Sequence, residues 1–297
     1  MDRIKGISAA LLTPFNQDGE LDFKALEEHC DFLIDKGIHS LYILGTTGES
    51  FLMSVEERQR FAKHVVDYVS GRVPVFMHIG DIPTRNAIEM LEFAKTIDVS
   101  GVGAITPFYY GMNQDELYTY YHDLSQAAGD QLDLYLYNLP GCTTNDLLPE
   151  TIVELAKLDN IIGIKNSMDD MVRLCNLVDQ TPDDFDVIQG SDILLSSGLL
   201  YGATGSVSGN SNVFPEFFVQ LYDAYLDGDI KEVKRIQKII SEVAMVLKNG
   251  SNLAYFKRAL EIRGLRPSYT RKPIKDLNKD QFSELEKSIK EIENKYL

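Results

Sequence analysis

Eight short apolar runs recur along the chain, at residues 6–12, 40–44, 74–79, 101–105, 132–137, 161–165, 185–189 and 205–208, and each gives way to a longer segment of helical period. Near-continuous apolar runs of this length are what strands buried on both faces require, and their alternation with helices implies βα units on a parallel sheet. Local signals agree with the helices. Ser54-Val55-Glu56-Glu57 is a capping box, Pro149 sits early in a first turn after Asn145, and Gly37, Gly228 and Gly264 suit helix stops. Eight units ending near residue 227 match a (β/α)8 TIM barrel, which takes about 250 residues. The expected division is therefore a barrel over 1–227 and a C-terminal helical extension over 228–297. That tail reads as helices only, amphipathic over 230–247 and 280–296, and offers a packing or oligomer surface. A doubly wound open sheet competes with the barrel, but no G-x-G-x-x-G follows the first run to support a dinucleotide site.

Composition narrows the function. With 297 residues, 44% of them hydrophobic, a full core is available. Lys plus Arg number 29 against 45 Asp plus Glu, a net charge of −16 that repels phosphate backbones and anionic membrane surfaces. Nucleic acid is thus not an expected partner. Cys30, Cys142 and Cys175 are odd in number and far apart, which suits a reducing cytoplasm rather than a disulfide framework or thiolate zinc site. The apolar run before Thr13-Pro14 is short for a signal segment, and no run approaches the roughly 20 residues of a membrane span. Among the five histidines, His29, His39, His64, His78 and His122, no tight ligand spacing occurs, so no metal and no other cofactor is expected. His78 alone falls at a strand end, where a structural role is favoured. Asp169-Asp170 and Asp183, Asp184 and Asp186 read as solvated loop and first-turn carboxylates.

A barrel carries its chemistry at the carboxyl ends of its strands. Those positions are Thr13-Pro14, Gly45-Thr46-Thr47-Gly48-Glu49, His78, Thr106-Pro107 with Tyr109 and Tyr110, Tyr137-Asn138, Lys165-Asn166, Gly190-Ser191-Asp192 and Ser208-Gly209-Asn210. Lys165 ends an apolar run, so its ammonium would sit over a closed apolar mouth where desolvation favours the neutral, nucleophilic amine. Taken alone it also fits a lysine snorkelling to water. Tyr137 closes the preceding run and would set a phenol beside that amine, either as a proton shuttle or as a space-filling aromatic. The glycines of the 45–48 turn free backbone amides to converge on a small carboxylate, or simply make an ordinary turn. Glu49 is better suited to satisfying neighbouring amides or hydroxyls than to acting as a base.

Together these residues resemble the pyruvate-dependent class I aldolases, the family of dihydrodipicolinate synthase and N-acetylneuraminate lyase. The resemblance spans almost the whole chain. It rests on Ala9-Ala10-Leu11-Leu12-Thr13-Pro14-Phe15, Gly45-Thr46-Thr47-Gly48-Glu49-Ser50, Thr106-Pro107-Phe108-Tyr109-Tyr110, Tyr137-Asn138-Leu139-Pro140, Gly163-Ile164-Lys165 and Arg271-Lys272-Pro273. It implies a homotetramer, a dimer of dimers, in which Lys165 forms a Schiff base with pyruvate and Tyr137 is the general acid and base. Thr46 and Thr47, with Gly48, would hold the pyruvate carboxylate, and Thr46 would link Tyr137 to a tyrosine of the neighbouring subunit, Tyr109 or Tyr110, with the spacing favouring Tyr109.

Two positions depart from the well-known members. Where dihydrodipicolinate synthases read Y-N-x-P-x-R, Cys142 takes the place of the arginine that grips the aldehyde's carboxylate, and a thiol cannot replace a bidentate guanidinium. Where N-acetylneuraminate lyases read G-Y-D-E, this chain has Gly190-Ser191-Asp192-Ile193. The expected reaction is reversible cleavage of a 2-keto-3-deoxy sugar acid to pyruvate and an aldehyde, with Ser167, Gly190, Asp192, Ser208 and Asn210 placed for the aldehyde portion. Dihydrodipicolinate synthase and N-acetylneuraminate lyase activities are the alternatives, along with a non-catalytic pyruvate-sensing or structural barrel and a metal-dependent class II aldolase, which the missing ligand spacing disfavours.

Overall fold

The eight runs become eight strands: β1 (Gly6–Ala10), β2 (Ser40–Ile43), β3 (Val75–His78), β4 (Gly101–Ile105), β5 (Leu134–Asn138), β6 (Ile161–Asn166), β7 (Asp186–Gln189) and β8 (Gly205–Ser208). They join in sequence order into a closed barrel, with parallel pairing from β2 through β8. The computed structural model describes residues 2–297. Every strand is buried along its whole length, which is why the runs lack the alternation of a half-exposed sheet.

Boundaries moved for identifiable reasons. β2 stops at Ile43 because Leu44 turns left-handed, with φ 60°, where no ladder can continue. β5 and β6 each extend one residue further, pairing Asn138 with Asn166 directly beyond the pair Tyr137 and Lys165. The Ser54 capping box forms as expected, its side chain accepting from Glu57 N and the Glu57 carboxylate accepting from Ser54 N. Asn145 does not cap the helix Pro149–Leu155; Leu148 stands at that cap, and Asn145 is used elsewhere.

The reading of Asp186 as a solvated carboxylate was wrong. It begins β7 inside the barrel, where Tyr135 Oη donates to it at 2.7 Å and Arg3 pairs with it at 3.4 Å. Burial raises its carboxyl pKa, with Tyr135 and Arg3 pulling the other way. Gly163 makes room for this cluster: a Cβ there would stand 2.6 Å from both the Tyr135 ring and the Asp186 carbonyl.

Two compact units divide the chain. The first comprises the residues up to Ser8, Ser40–Ile43 and Pro74–Val207, and its core includes Tyr42, Phe76, Tyr135 and Tyr137. The second comprises Ala9–His39, Leu44–Val73 and Ser208–Leu297, with Phe15, Phe61, Phe214 and Phe256 in its core. All of the 228–297 tail lies in the second unit. Its helices Ile230–Val246 and Lys279–Tyr296 match the amphipathic segments, and a third, Ala254–Ile262, stands between them. It is not helical throughout, however. Between Ile262 and Lys279 the chain is irregular, and Tyr269 pairs antiparallel with Phe15, its N–H donating to the Phe15 carbonyl at 2.9 Å. No helix among the described residues is long and apolar enough to cross a membrane.

Candidate active site

Parallel register on adjacent strands sets Tyr137 directly opposite Lys165. The Lys165 side chain is only 6% exposed, and its Nζ stands 4.1 Å from the Tyr137 ring centroid and 5.4 Å from that of Tyr42. Aromatic faces attract an ammonium through their quadrupoles while offering no lone pair strong enough to hold its protons. Among the described residues no carboxylate or carbonyl engages this amine. Tyr42 meets Tyr137 edge-on at 6.4 Å, and His78 meets Tyr137 at 6.1 Å. His78 Nε2 accepts the Ile105 N–H at 3.2 Å, which places the proton of a neutral ring on Nδ1 and gives His78 a structural task. An amine facing a phenol at adjacent strand ends is equipped for carbonyl addition and proton transfer.

Tyr109 and Tyr110 lie on the loop after β4, 79% and 62% exposed, in edge contact with each other at 4.9 Å. Tyr109 holds φ 75°, unusual for a residue with a Cβ. The anchor of this loop is the buried Asn145. Its amide donates to the Pro107 and Tyr110 carbonyls, both at 2.8 Å, and accepts from Met112 N at 2.9 Å. Cys142 lies exposed on the short helix Pro140–Thr143; partial desolvation raises its thiol pKa while the Lys165 charge pulls it down. Arg173, on the helix Met171–Gln180, donates to Asp146 at 2.8 Å and to the Leu147 carbonyl at 3.1 Å.

After β6 and β7, Ser167 fills the space that a side chain at position 190 would need: a Cβ on Gly190 would stand 2.0 Å from the Ser167 hydroxyl. Ser191 donates to Asp169, so that carboxylate is partnered after all. Asp192 is buried at the start of a short 3-10 turn, while Ile193 is exposed.

The second unit holds the remaining motif residues. In the 45–49 turn Gly48 N donates to the Gly45 carbonyl at 3.0 Å and Glu49 N to the Thr46 carbonyl at 3.1 Å. Thr46 is exposed and Thr47 half-buried. A Cβ on Gly48 would stand 3.0 Å from the Leu11 carbonyl, and one on Gly209 would stand 3.4 Å from Thr47 Oγ1, so both glycines admit close approach to the turn. Ser208 is buried and spends its oxygens locally, its hydroxyl accepting Ser211 N at 3.0 Å. Asn210, in the next turn, is buried as well. Glu49, as expected, satisfies neighbours: it accepts Arg271 N at 2.8 Å. Its other partner, Lys257 at 2.5 Å, was not anticipated.

Three residues thus escaped the sequence reading. Tyr42 lies mid-run with no polar neighbour to mark it. Asn145 resembled a helix cap. Lys257 did leave a signal, a charge three positions from both Ala254 and Leu260 on the buried face of its helix. No group of three or more His, Cys, Asp or Glu that could hold a metal exists among the described residues.

The model of the dihydrodipicolinate synthetase family matches residues 3–292. An uncharacterized DapA-like lyase of Halobacterium salinarum is 35% identical over 289 residues, covering 97% of this chain and 94% of the other. N-acetylneuraminate lyase of Rhizobium meliloti is 33% identical, covering 97% and 95%. Among solved structures, YagE of E. coli K12, a prophage protein of the dihydrodipicolinic acid synthase family crystallised with pyruvate, superposes with a TM-score of 0.93 at 28% identity, covering 98% of this chain and 99% of that one.

Proposed function

The chain belongs to the dihydrodipicolinate synthetase family of lyases, and from that premise we propose that it is a Schiff-base aldolase reversibly cleaving a 2-keto-3-deoxy sugar acid to pyruvate and an aldehyde. The observation that carries this reading is the register pair of Tyr137 and Lys165, an amine over a phenol ring in a buried mouth. The relative solved with pyruvate supports the choice of keto acid.

In the cleavage direction Lys165 Nζ adds to the C2 ketone and water leaves, giving an iminium. Tyr137 removes the C4 hydroxyl proton, the C3–C4 bond breaks, and its electron pair passes into the iminium as an enamine while the aldehyde departs. Protonation at C3 and hydrolysis then release pyruvate and the free amine. In this proposal Thr46, Thr47 and Gly48 hold the keto acid's carboxylate. Thr46 joins Tyr137 to Tyr109 of a neighbouring copy in a homotetramer, with Tyr110 as the other candidate. Ser167, Gly190, Asp192, Ser208 and Asn210 face the aldehyde portion.

Condensation of pyruvate with aspartate semialdehyde is a second reading, favoured by the family's name. Against it stands Cys142, a thiol where the carboxylate-gripping arginine would be. Intact-mass measurement after pyruvate and borohydride tests the common core: one reduced pyruvate per chain, lost in Lys165→Ala, is expected. An unlabelled wild type would overturn the mechanism. Pyruvate release from keto-deoxy sugar acids, set against a reductase-coupled assay with aspartate semialdehyde, then separates the two readings.

A further inference from the structure

Lys257 is 1% exposed, yet its ammonium has three partners, two carbonyls and a carboxylate, each from a different part of the second unit. It donates to the Thr13 carbonyl at 2.6 Å and to the Tyr269 carbonyl at 2.7 Å, and it forms an ion pair with Glu49 Oε1 at 2.5 Å. Thr13 in turn donates its hydroxyl to the Gly48 carbonyl at 2.6 Å. Lys257 therefore grips the 45–49 turn twice, directly at Glu49 and through Thr13 at Gly48.

The turn needs such a grip. Both of its flanks are left-handed at residues carrying a Cβ, Leu44 at φ 60° and Glu49 at φ 54°. Backbone in that region costs of order 1–3 kcal/mol per residue and persists only where the surroundings over-determine it. Arg271 adds a second brace. Its N–H reaches Glu49 Oε2, and its guanidinium takes the Leu52 carbonyl at 2.8 Å and Glu57 at 2.6 Å. The glycines, the strained flanks and the buried pair thus all bear on one object, the shape of the turn that carries Thr46, Thr47 and Gly48.

We infer that Lys257, through its pair with Glu49, is a positioning residue that holds the 45–49 turn in the shape that receives the keto acid's carboxylate; the inference rests on the proposed role of Thr46 and Thr47. Lys257 touches no reacting atom. Its loss should weaken occupancy by the keto acid while leaving Lys165 able to form the Schiff base.

Removing one partner of a buried pair strands the other charge, so the variant of choice is the near-isosteric neutral double, Glu49→Gln with Lys257→Met. The rate of reductive trapping is followed by intact mass against pyruvate concentration, in wild type and double variant. The expected result is a half-saturating pyruvate concentration raised at least about tenfold, with the limiting rate within about threefold of wild type. As a control, Arg263→Met breaks another largely buried pair of the same unit, with Glu216, and is expected to lower thermal stability without moving half-saturation. Should the double variant not fold, Glu49→Gln alone is judged by the same criterion.

Half-saturation within twofold of wild type would overturn the inference, as would a fall in limiting rate alone or an equal rise in Arg263→Met. A wild type that pyruvate does not label overturns the proposed function, and this inference with it. A labelled wild type with an unmoved variant overturns only the inference.

Discussion

Lys165 and Lys257 are both buried, at 6% and 1% exposure, but are held in opposite ways. Lys257 donates to two carbonyls and is paired with a carboxylate, so its charge is fixed in place even though burial lowers its pKa to about 8 against the opposing pull of Glu49. Lys165 has two tyrosine faces and, among the described residues, no carboxylate or carbonyl partner, so no ion pair or hydrogen bond of that kind ties its amine down. A lysine that braces needs acceptors and a counter-charge. A lysine that attacks needs the reverse.

Exchanging or deleting these features tests the comparison. The largest effect is expected from Lys165→Ala, which should abolish reductive trapping by pyruvate and keto-acid cleavage while leaving the unfolding free energy unchanged or higher, because a buried amine without acceptors costs stability. Tyr137→Phe should reduce turnover by roughly 10²–10⁴, the usual worth of a positioned proton-transfer group, yet still give the trapped adduct. Lys257→Met should reverse the pattern of Lys165→Ala: a loss of about 3–5 kcal/mol in urea unfolding, as Glu49 is left buried without its cation.

The same lysine predicts a pH signature. The folded chain gives up the Lys257 proton near pH 8 and the unfolded chain holds it to about 10.5, so between these values the unfolded state binds more protons. Stability should therefore climb with pH across that window in the wild type, by on the order of 3 kcal/mol at most, and the climb should vanish in the Glu49→Gln/Lys257→Met double variant. Paired urea titrations from pH 7 to 10 read the difference directly. The smallest effect should come from Tyr42→Phe. The Tyr42 hydroxyl is buried with no hydrogen-bond partner among the described residues, so its removal should cost nothing or stabilise by about 1 kcal/mol, and only the ring should matter to Lys165.

What the sequence disclosed follows from the range over which each force acts. Strands buried on both faces must be apolar from end to end, so all eight were visible as runs, and the register that pairs Tyr137 with Lys165 followed once both runs ended in those residues. Capping at Ser54 was equally legible, since donor and acceptor are three residues apart. Asn145 misled because its local context, four residues before a proline, matched a helix start, whereas its amide serves carbonyls on another loop. The Glu49–Lys257 pair joins the turn after β2 to a helix of the tail, and no local period records such a partnership. The left-handed turns at Leu44 and Tyr109 were hidden too, because neither is glycine and tertiary packing alone imposes them.

Asn145 has one further consequence. A pair of exposed tyrosines on an untethered loop would have to give up backbone freedom, about 1–2 kcal/mol per residue, whenever another surface received them. Here a single buried amide has already frozen the loop at Pro107, Tyr110 and Met112, so that entropy is lost once, during folding. Whatever surface Tyr109 and Tyr110 meet encounters a finished shape, and the free energy of the encounter goes into binding instead of ordering.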